Sequence, residues 1–177
     1  LQTNATLKVS AADSNTVSGK KSVGTLIEEL WLFGKQPNAE NMLREATGGL
    51  ASRPEGCVIW LSTQSNEPPA GVFRQKLLYA RGVRDGRIKD PQFCPVIYEF
   101  PESMVKANEH RVPANFYVTN PNMGASVDEE FLQREWRKAE EGGEESVRGF
   151  LAKHLNVEIG LALRSDRWAG ADHWEQA

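Results

Sequence analysis

The chain is short of the residues that build metal centres and covalent cross-links. It has two cysteines, Cys57 and Cys94, and three histidines, His110, His154 and His173. The histidines have no metal-ligand spacing to one another or to the cysteines, which argues against a structural zinc site. Cys57 opens one apolar run and Cys94 sits inside another. The expectation is therefore two buried thiols in a reducing compartment, not a disulfide. No apolar run approaches the roughly 18–20 residues of a membrane span, and the start shows no signal-peptide pattern. There is no internal repeat and no low-complexity tract. The net charge of -3 at pH 7 excludes a wholesale nucleic-acid coat but leaves room for a local basic patch. The first residue is Leu1, not Met, so the sequence reads as a piece of something longer.

What is present is ordinary material for a soluble fold. With 177 residues, 40% of them hydrophobic and 25% charged, the chain can bury one sizeable core. Four short apolar runs bounded by turn signals, "TLKVSAA", "VGTLIEE", "GCVIWLST" and "FCPVIYEF", fit buried strands. Helical patterns separate some of them. "NAENMLREATGG" carries Met42, Leu43 and Ala46 on one side and stops at Gly48. "AGVFRQKLLYARG" carries Val72, Phe73, Leu77 and Ala80 and stops at Gly82. Alternating strand and helix predict an α/β domain with a mostly parallel sheet. The tail is different. "SVDE", Ser126 to Glu129, reads as a capping box opening a helix with Leu132, Trp136 and Ala139 as its apolar stripe. "EGGE" breaks it, and "ESVRGFLAKHL" starts a second helix with Val147, Leu151 and Leu155 on one face. The last stretch, "LALRSDRWAGADHWEQA", has no clear period and reads as a linker or an unfinished element.

The most informative segment is "SVGTLIEELWLFG", Ser22 to Gly34, where Glu28 and Glu29 follow an apolar run. Leu26, Leu30 and Phe33 satisfy helical spacing, so an amphipathic helix with two solvated acids stays open. Ser22, Val23, Gly24 and Thr25 make a poor helix start, and Gly24 and Thr25 suit a strand that another backbone approaches closely. On the strand reading the two acids stand at its carboxyl end and face opposite ways. They cannot share a proton, nor flank a sugar from both sides. They can divide labour, one facing a metal ion and the other a water nucleophile, as metal-assisted phosphoryl transfer requires. "GCVIWLSTQS" supplies a second strand end, running into Ser62, Thr63 and Gln64. Ligands of open α/β sheets bind outside the carboxyl ends of the strands. The plainer alternative is that Ser-Thr-Gln only caps and turns the strand. "SGKKS", Ser18 to Ser22, imitates a phosphate-binding loop and fails. Ser14 stands where the first glycine is needed, and Lys21 stands where Ser or Thr should follow the lysine. It also leads into a strand, so no helix N-terminus would face the phosphate.

Several stretches, in order, resemble the large terminase subunits of tailed bacteriophages, the motors that pump DNA into capsids. "LKVSAADSNTVSGKKSVGTLIEELW", with its Ala-Ala-Asp and lone Gly19, resembles the segment leading into the Walker B strand. "WLSTQS" resembles the coupling motif that follows, and "IKDPQFCPVIYEFPE" a later strand. "TNPNMGASVDEEFLQREW" resembles the turn and helix of the lid region, and "FLAKHLN", with Asn156, the last helix before the nuclease. The likeness covers roughly residues 7 to 157. The family usually has Asp where this chain has Glu28. The phosphate-binding loop that precedes this region in the family, and the nuclease carboxylates that follow it, are not among these residues; Asp166 and Asp172 are not carried over as nuclease ligands.

The resemblance implies a P-loop ATPase domain of the ASCE type, truncated at its N-terminal side, with a small helical lid. Residues 1–118 would be the central and C-terminal part of the ATPase core, 119–157 the lid, and 158–177 the start of a linker toward a missing nuclease. It implies ATP and Mg²⁺ as cofactors, Glu29 as the catalytic glutamate, Glu28 as the metal-binding acid, and Ser62, Thr63 and Gln64 as sensors of the γ-phosphate. It implies double-stranded DNA, a portal protein and a small terminase subunit as partners, a homo-oligomeric ring, no membrane, and the bacterial host cytoplasm. The complete protein would couple ATP hydrolysis to DNA translocation and would carry an endonuclease. This chain alone is expected to be inactive for want of a phosphate loop. The basic run from Arg74 to Lys89 reads as a solvated helix and loop and stays outside the site. A truncated helicase-like P-loop motor and a non-catalytic prophage remnant are the alternatives.

Overall fold

The computed structural model describes residue 4, residues 6–11 and residues 22–160. The expected linker beyond residue 160, most of "SGKKS", and the Ala-Ala-Asp match after Ala11 lie outside the described residues.

Two strands form. β1 (Gly24–Ile27) and β2 (Cys57–Trp60) pair in parallel, with Gly24 opposite Cys57 and Ile27 opposite Trp60. Parallel neighbours need a crossover, supplied here by α1 (Leu30–Phe33), α2 (Ala39–Gly48) and a 3₁₀ turn at Gly49–Ser52. α3 (Gly71–Arg84) follows β2. A core of Ile27, Leu30, Phe33, Met42, Leu43, Val72 and Phe73 covers one face of the pair, with Val58 and Trp60 packed against it. The other face is open: Leu26 is 61% and Ile59 52% exposed. Cys57 shares that open face and is exposed, as is Cys94; both are free thiols. The expectation of buried thiols fails: Cys57 is exposed because alternate residues of a half-covered strand face outward, and Cys94 lies in a segment that joins no sheet.

The other two expected strands are absent among the described residues. Residues 6–11 of "TLKVSAA" carry no secondary structure and stand exposed. "FCPVIYEF" keeps a strand-like alternation of exposed and half-buried positions, but no strand among the described residues pairs with it, and Pro95 lacks a ladder N–H. Close backbone approach occurs at Gly34 and Gly71, not at Gly24, where an added Cβ would meet only Cys57 Sγ at 4.0 Å. Gly82 does not stop α3, which runs on to Arg84. It is glycine because a Cβ would lie 2.6 Å from the Ile88 side chain folded over it.

The second half is helical. α4 (Glu102–Lys106) and 3₁₀ turns at Glu109–Arg111 and Pro113–Val118 lead to α5 (Glu129–Glu141) and α6 (Glu144–Leu155). α5 buries Leu132, Trp136 and Ala139, and α6 buries Val147, Leu151 and Leu155, the stripes that the periodicity predicts. Their hinge is Gly143, at φ 84°. The cap of α5 is Asp128, whose carboxylate accepts the Glu130 N–H at 3.1 Å. Ser126 instead accepts from the Asn122 side chain, so the N-cap lies two residues beyond the expected one, and with Phe131 three residues after Asp128 no reciprocal capping box forms there. The apolar cluster of this half reaches back to Phe100 and includes Phe116, which meets the rings of Trp136 and Phe150. The boundary drawn at residues 118 and 119 therefore falls inside one core.

Candidate functional site

β1 ends at Ile27, and the two glutamates form the turn into α1. "LIEEL" is thus strand, turn and short helix in succession. Glu29 takes the left-handed conformation, φ 53° and ψ 48°. For a residue with a Cβ this costs about 1–2 kcal/mol, so something must hold it. The next residues are stitched to the end of β2. Leu61 donates its N–H to the Ile27 carbonyl at 2.8 Å, Leu30 donates to the Leu61 carbonyl at 3.1 Å, and Trp31 donates to Ser62 Oγ at 3.0 Å. The Trp31 indole N–H donates to Glu29 Oε2. The parallel register thus brings the acid turn and the Ser-Thr-Gln stretch to one rim.

The rim residues differ in what they leave free. Glu28 is exposed and has no hydrogen bond or ion pair among the described residues, whereas Glu29 is half-buried with one carboxylate oxygen engaged. Ser62 accepts from Trp31 and donates to the Thr63 carbonyl at 2.8 Å, so its hydroxyl works as a staple. Thr63 Oγ1 makes two long bonds, donating to the Gln64 carbonyl at 3.3 Å and accepting from Lys153 at 3.4 Å. Gln64 is 6% exposed, yet its side-chain Oε1 has no partner among the described residues. Such an orphaned acceptor asks for a donor from water or a ligand.

Sequence reasoning missed Lys153. It comes from α6, and its Nζ stands 3.2 Å from the centroid of the Trp31 ring, 3.1 Å from the Gln64 carbonyl oxygen and 3.4 Å from Thr63 Oγ1. Burial depresses its pKa below the usual lysine value, against the opposing pull of the Glu29 charge. The signal was there to read. α6 buries Phe150, Leu151, Ala152 and Leu155, more than a single stripe. A lysine set among them must lie against a neighbour with its stem.

Lys153 and His154 also line a cavity of about 430 Å³ within the helical half, together with Asn120, Asp128, Phe131 and Arg134. Only Lys153 is shared between this cavity and the acid rim. The basic run is largely committed elsewhere. Arg81 binds Glu99 and Glu158, and Arg84 binds Glu99 and Asp85. Burial pushes the Glu99 carboxyl up, and its bonds to Arg81 and Arg84 outweigh that and hold it below its ordinary value. Lys76 lies over the Trp60 ring, and Arg87 pairs with Asp85.

Among the described residues no group of three or more His, Cys, Asp or Glu side chains could hold a metal ion. Mg²⁺ asks for less, one or two carboxylates completed by phosphate oxygens and water, and the free Glu28 carboxylate fits that role. No helix among the described residues is long and apolar enough to cross a membrane. Comparison of the chain with family models, with curated proteins and with solved structures gives no match.

Proposed function

We propose that the chain is part of a viral DNA-packaging motor of the large terminase kind, coupling ATP hydrolysis to translocation of double-stranded DNA. The observation that carries this reading is the shared rim. A parallel strand pair sets an acid turn, Glu28 and Glu29, beside a hydroxyl and amide stretch, Ser62 to Gln64, with Trp31 fastened to Ser62. The order of motifs along the sequence is the second support. In the longer protein, Glu29 orients or activates the attacking water through its remaining carboxylate oxygen, while the Trp31 indole fixes the other. Glu28 holds Mg²⁺, which neutralises charge on the phosphates when bound. Thr63 reports the phosphate, and Gln64 passes the change to the helical half through Lys153. The motor would work as a ring with a portal protein and a small terminase subunit in the bacterial host cytoplasm, with its endonuclease elsewhere in the complete protein.

A magnesium titration in a longer protein that includes the phosphate loop tests this. Glu29→Gln should abolish hydrolysis, by about 10²-fold or more for a lost general base, and still bind ATP. Glu28→Gln should raise the Mg²⁺ requirement and be partly rescued by added Mg²⁺. Wild-type hydrolysis from both variants would sink the assignment. No hydrolysis above blank even in the unsubstituted longer protein would favour the non-catalytic reading, for which one observation speaks: Ser62 and one Glu29 oxygen are already satisfied internally.

A further inference from the structure

Lys153 is a half-buried cation whose contacts are all neutral: a π face, a carbonyl oxygen and a hydroxyl. Among the described residues it makes no ion pair. An ammonium group that has lost much of its hydration and touches no anion would gain a charge-assisted hydrogen bond from any anion brought within reach. A bare anion would also meet the two rim glutamates, which repel it. The combination that suits both signs of charge is an anion carrying a divalent cation, the cation for Glu28 and the anion for Lys153.

We infer that Lys153 is the helical half's own ligand for a magnesium-bound polyphosphate at the Glu29–Thr63 rim, and that it exchanges the Trp31 ring and the Gln64 carbonyl for the phosphate. This deepens the motor reading and rests on it. It gives the helical half a direct grip on the nucleotide's phosphates, where the resemblance alone had the strand-end residues relay the signal. Burial lowers the Lys153 pKa, as befits a poorly hydrated amine, against the smaller opposing effect of the Glu29 charge.

The test uses the 177-residue chain and inorganic tripolyphosphate, with and without Mg²⁺, in calorimetric titrations. Wild type should bind weakly, and more tightly with Mg²⁺. Lys153→Met should weaken binding about tenfold or more, and Lys153→Arg should keep it within about threefold, since the charge and its donors remain. Lys153→Gln, which can still bond the Gln64 carbonyl, should behave like Lys153→Met and guards against a folding defect in the latter. Trp31 fluorescence, isolated by subtraction of Trp31→Phe, should change on binding in wild type and not in Lys153→Met. Equal affinity in wild type and both neutral variants overturns the inference, as does loss of binding in an Arg74→Ala, Lys89→Ala variant with no effect at Lys153. The motor reading survives that outcome if Glu29-dependent hydrolysis persists in the longer protein. If wild type ignores tripolyphosphate and that hydrolysis is also missing, both fall.

Discussion

Gly34 and Gly71 meet backbone to backbone: a Cβ on Gly71 would lie 2.4 Å from the Gly34 carbonyl oxygen, and Gly71 holds φ +48°. This contact sets α1 against α3 and so fixes the platform from which Trp31 reaches both Ser62 and Glu29. Gly71→Ala combines a left-handed backbone with a collision against a carbonyl. It should destabilise the chain by about 2 kcal/mol or more, read as a fall in the urea midpoint. Gly48→Ala, where an added Cβ meets nothing, is the control and should be neutral or slightly stabilising. A Gly71→Ala midpoint equal to wild type would mean the α1–α3 contact is not as tight as described.

His110 makes stability depend on pH. It is 2% exposed and rests edge-on to Phe100. Among the described residues neither ring nitrogen has a hydrogen-bond partner of normal geometry. Burial, helped by the neighbouring Arg111 charge, lowers its pKa against a small opposing effect of the Met104 backbone. Burial likewise lowers His154, against the Glu135 charge. Above the ordinary histidine value of about 6.5 both states are neutral and pH has no effect. As pH falls below it, the unfolded chain takes up the proton first, and stability drops by up to about 1.4 kcal/mol per pH unit for each ring. The loss levels off once the folded rings protonate. Urea midpoints should therefore be flat from about pH 8 to 7 and fall toward pH 5, with a shallower fall in His110→Leu. A midpoint independent of pH across this window would show that His110 is not buried neutral.

The periodic elements were legible in the sequence because their physics is local. The stripes Leu132, Trp136, Ala139 and Val147, Leu151, Leu155 are spaced to face one core, and they do. β1 and β2 were legible as short apolar runs, and their parallel pairing followed from the helices between them. "FCPVIYEF" misled because an alternating run satisfies the strand pattern whether or not a neighbour is there to pair with it. Glu99 in that run is bound by Arg81 and Arg84 instead. Gly82 looked like a stop, but its reason is the Ile88 side chain, a contact no window of sequence displays. The acid turn and the Ser-Thr-Gln stretch were both found, being adjacent to recognisable strand ends. Lys153 was not, since it reaches them from 90 residues beyond Thr63 and owes its place to the packing of α6.

Trp31 gives the sharpest separation between a catalytic rim and a merely stable one. Its indole N–H fixes one oxygen of Glu29, its backbone N–H is held by Ser62, and its ring carries Lys153. Trp31→Phe removes only the first of these, since phenylalanine keeps a backbone N–H and an aromatic face. If Glu29 must be aimed at a water, the loss of its donor should lower kcat in the longer protein by about tenfold. That figure is smaller than for losing the base itself, because the carboxylate remains. KM for Mg·ATP should change little, since Glu28 is unaltered and phenylalanine still offers Lys153 an aromatic face. Stability should shift by about 1 kcal/mol, the typical net value of one hydrogen bond. A purely structural Trp31 gives the stability change without the fall in kcat. A fall in kcat with an equal rise in KM would place Trp31 in nucleotide binding, and the positioning role would be lost.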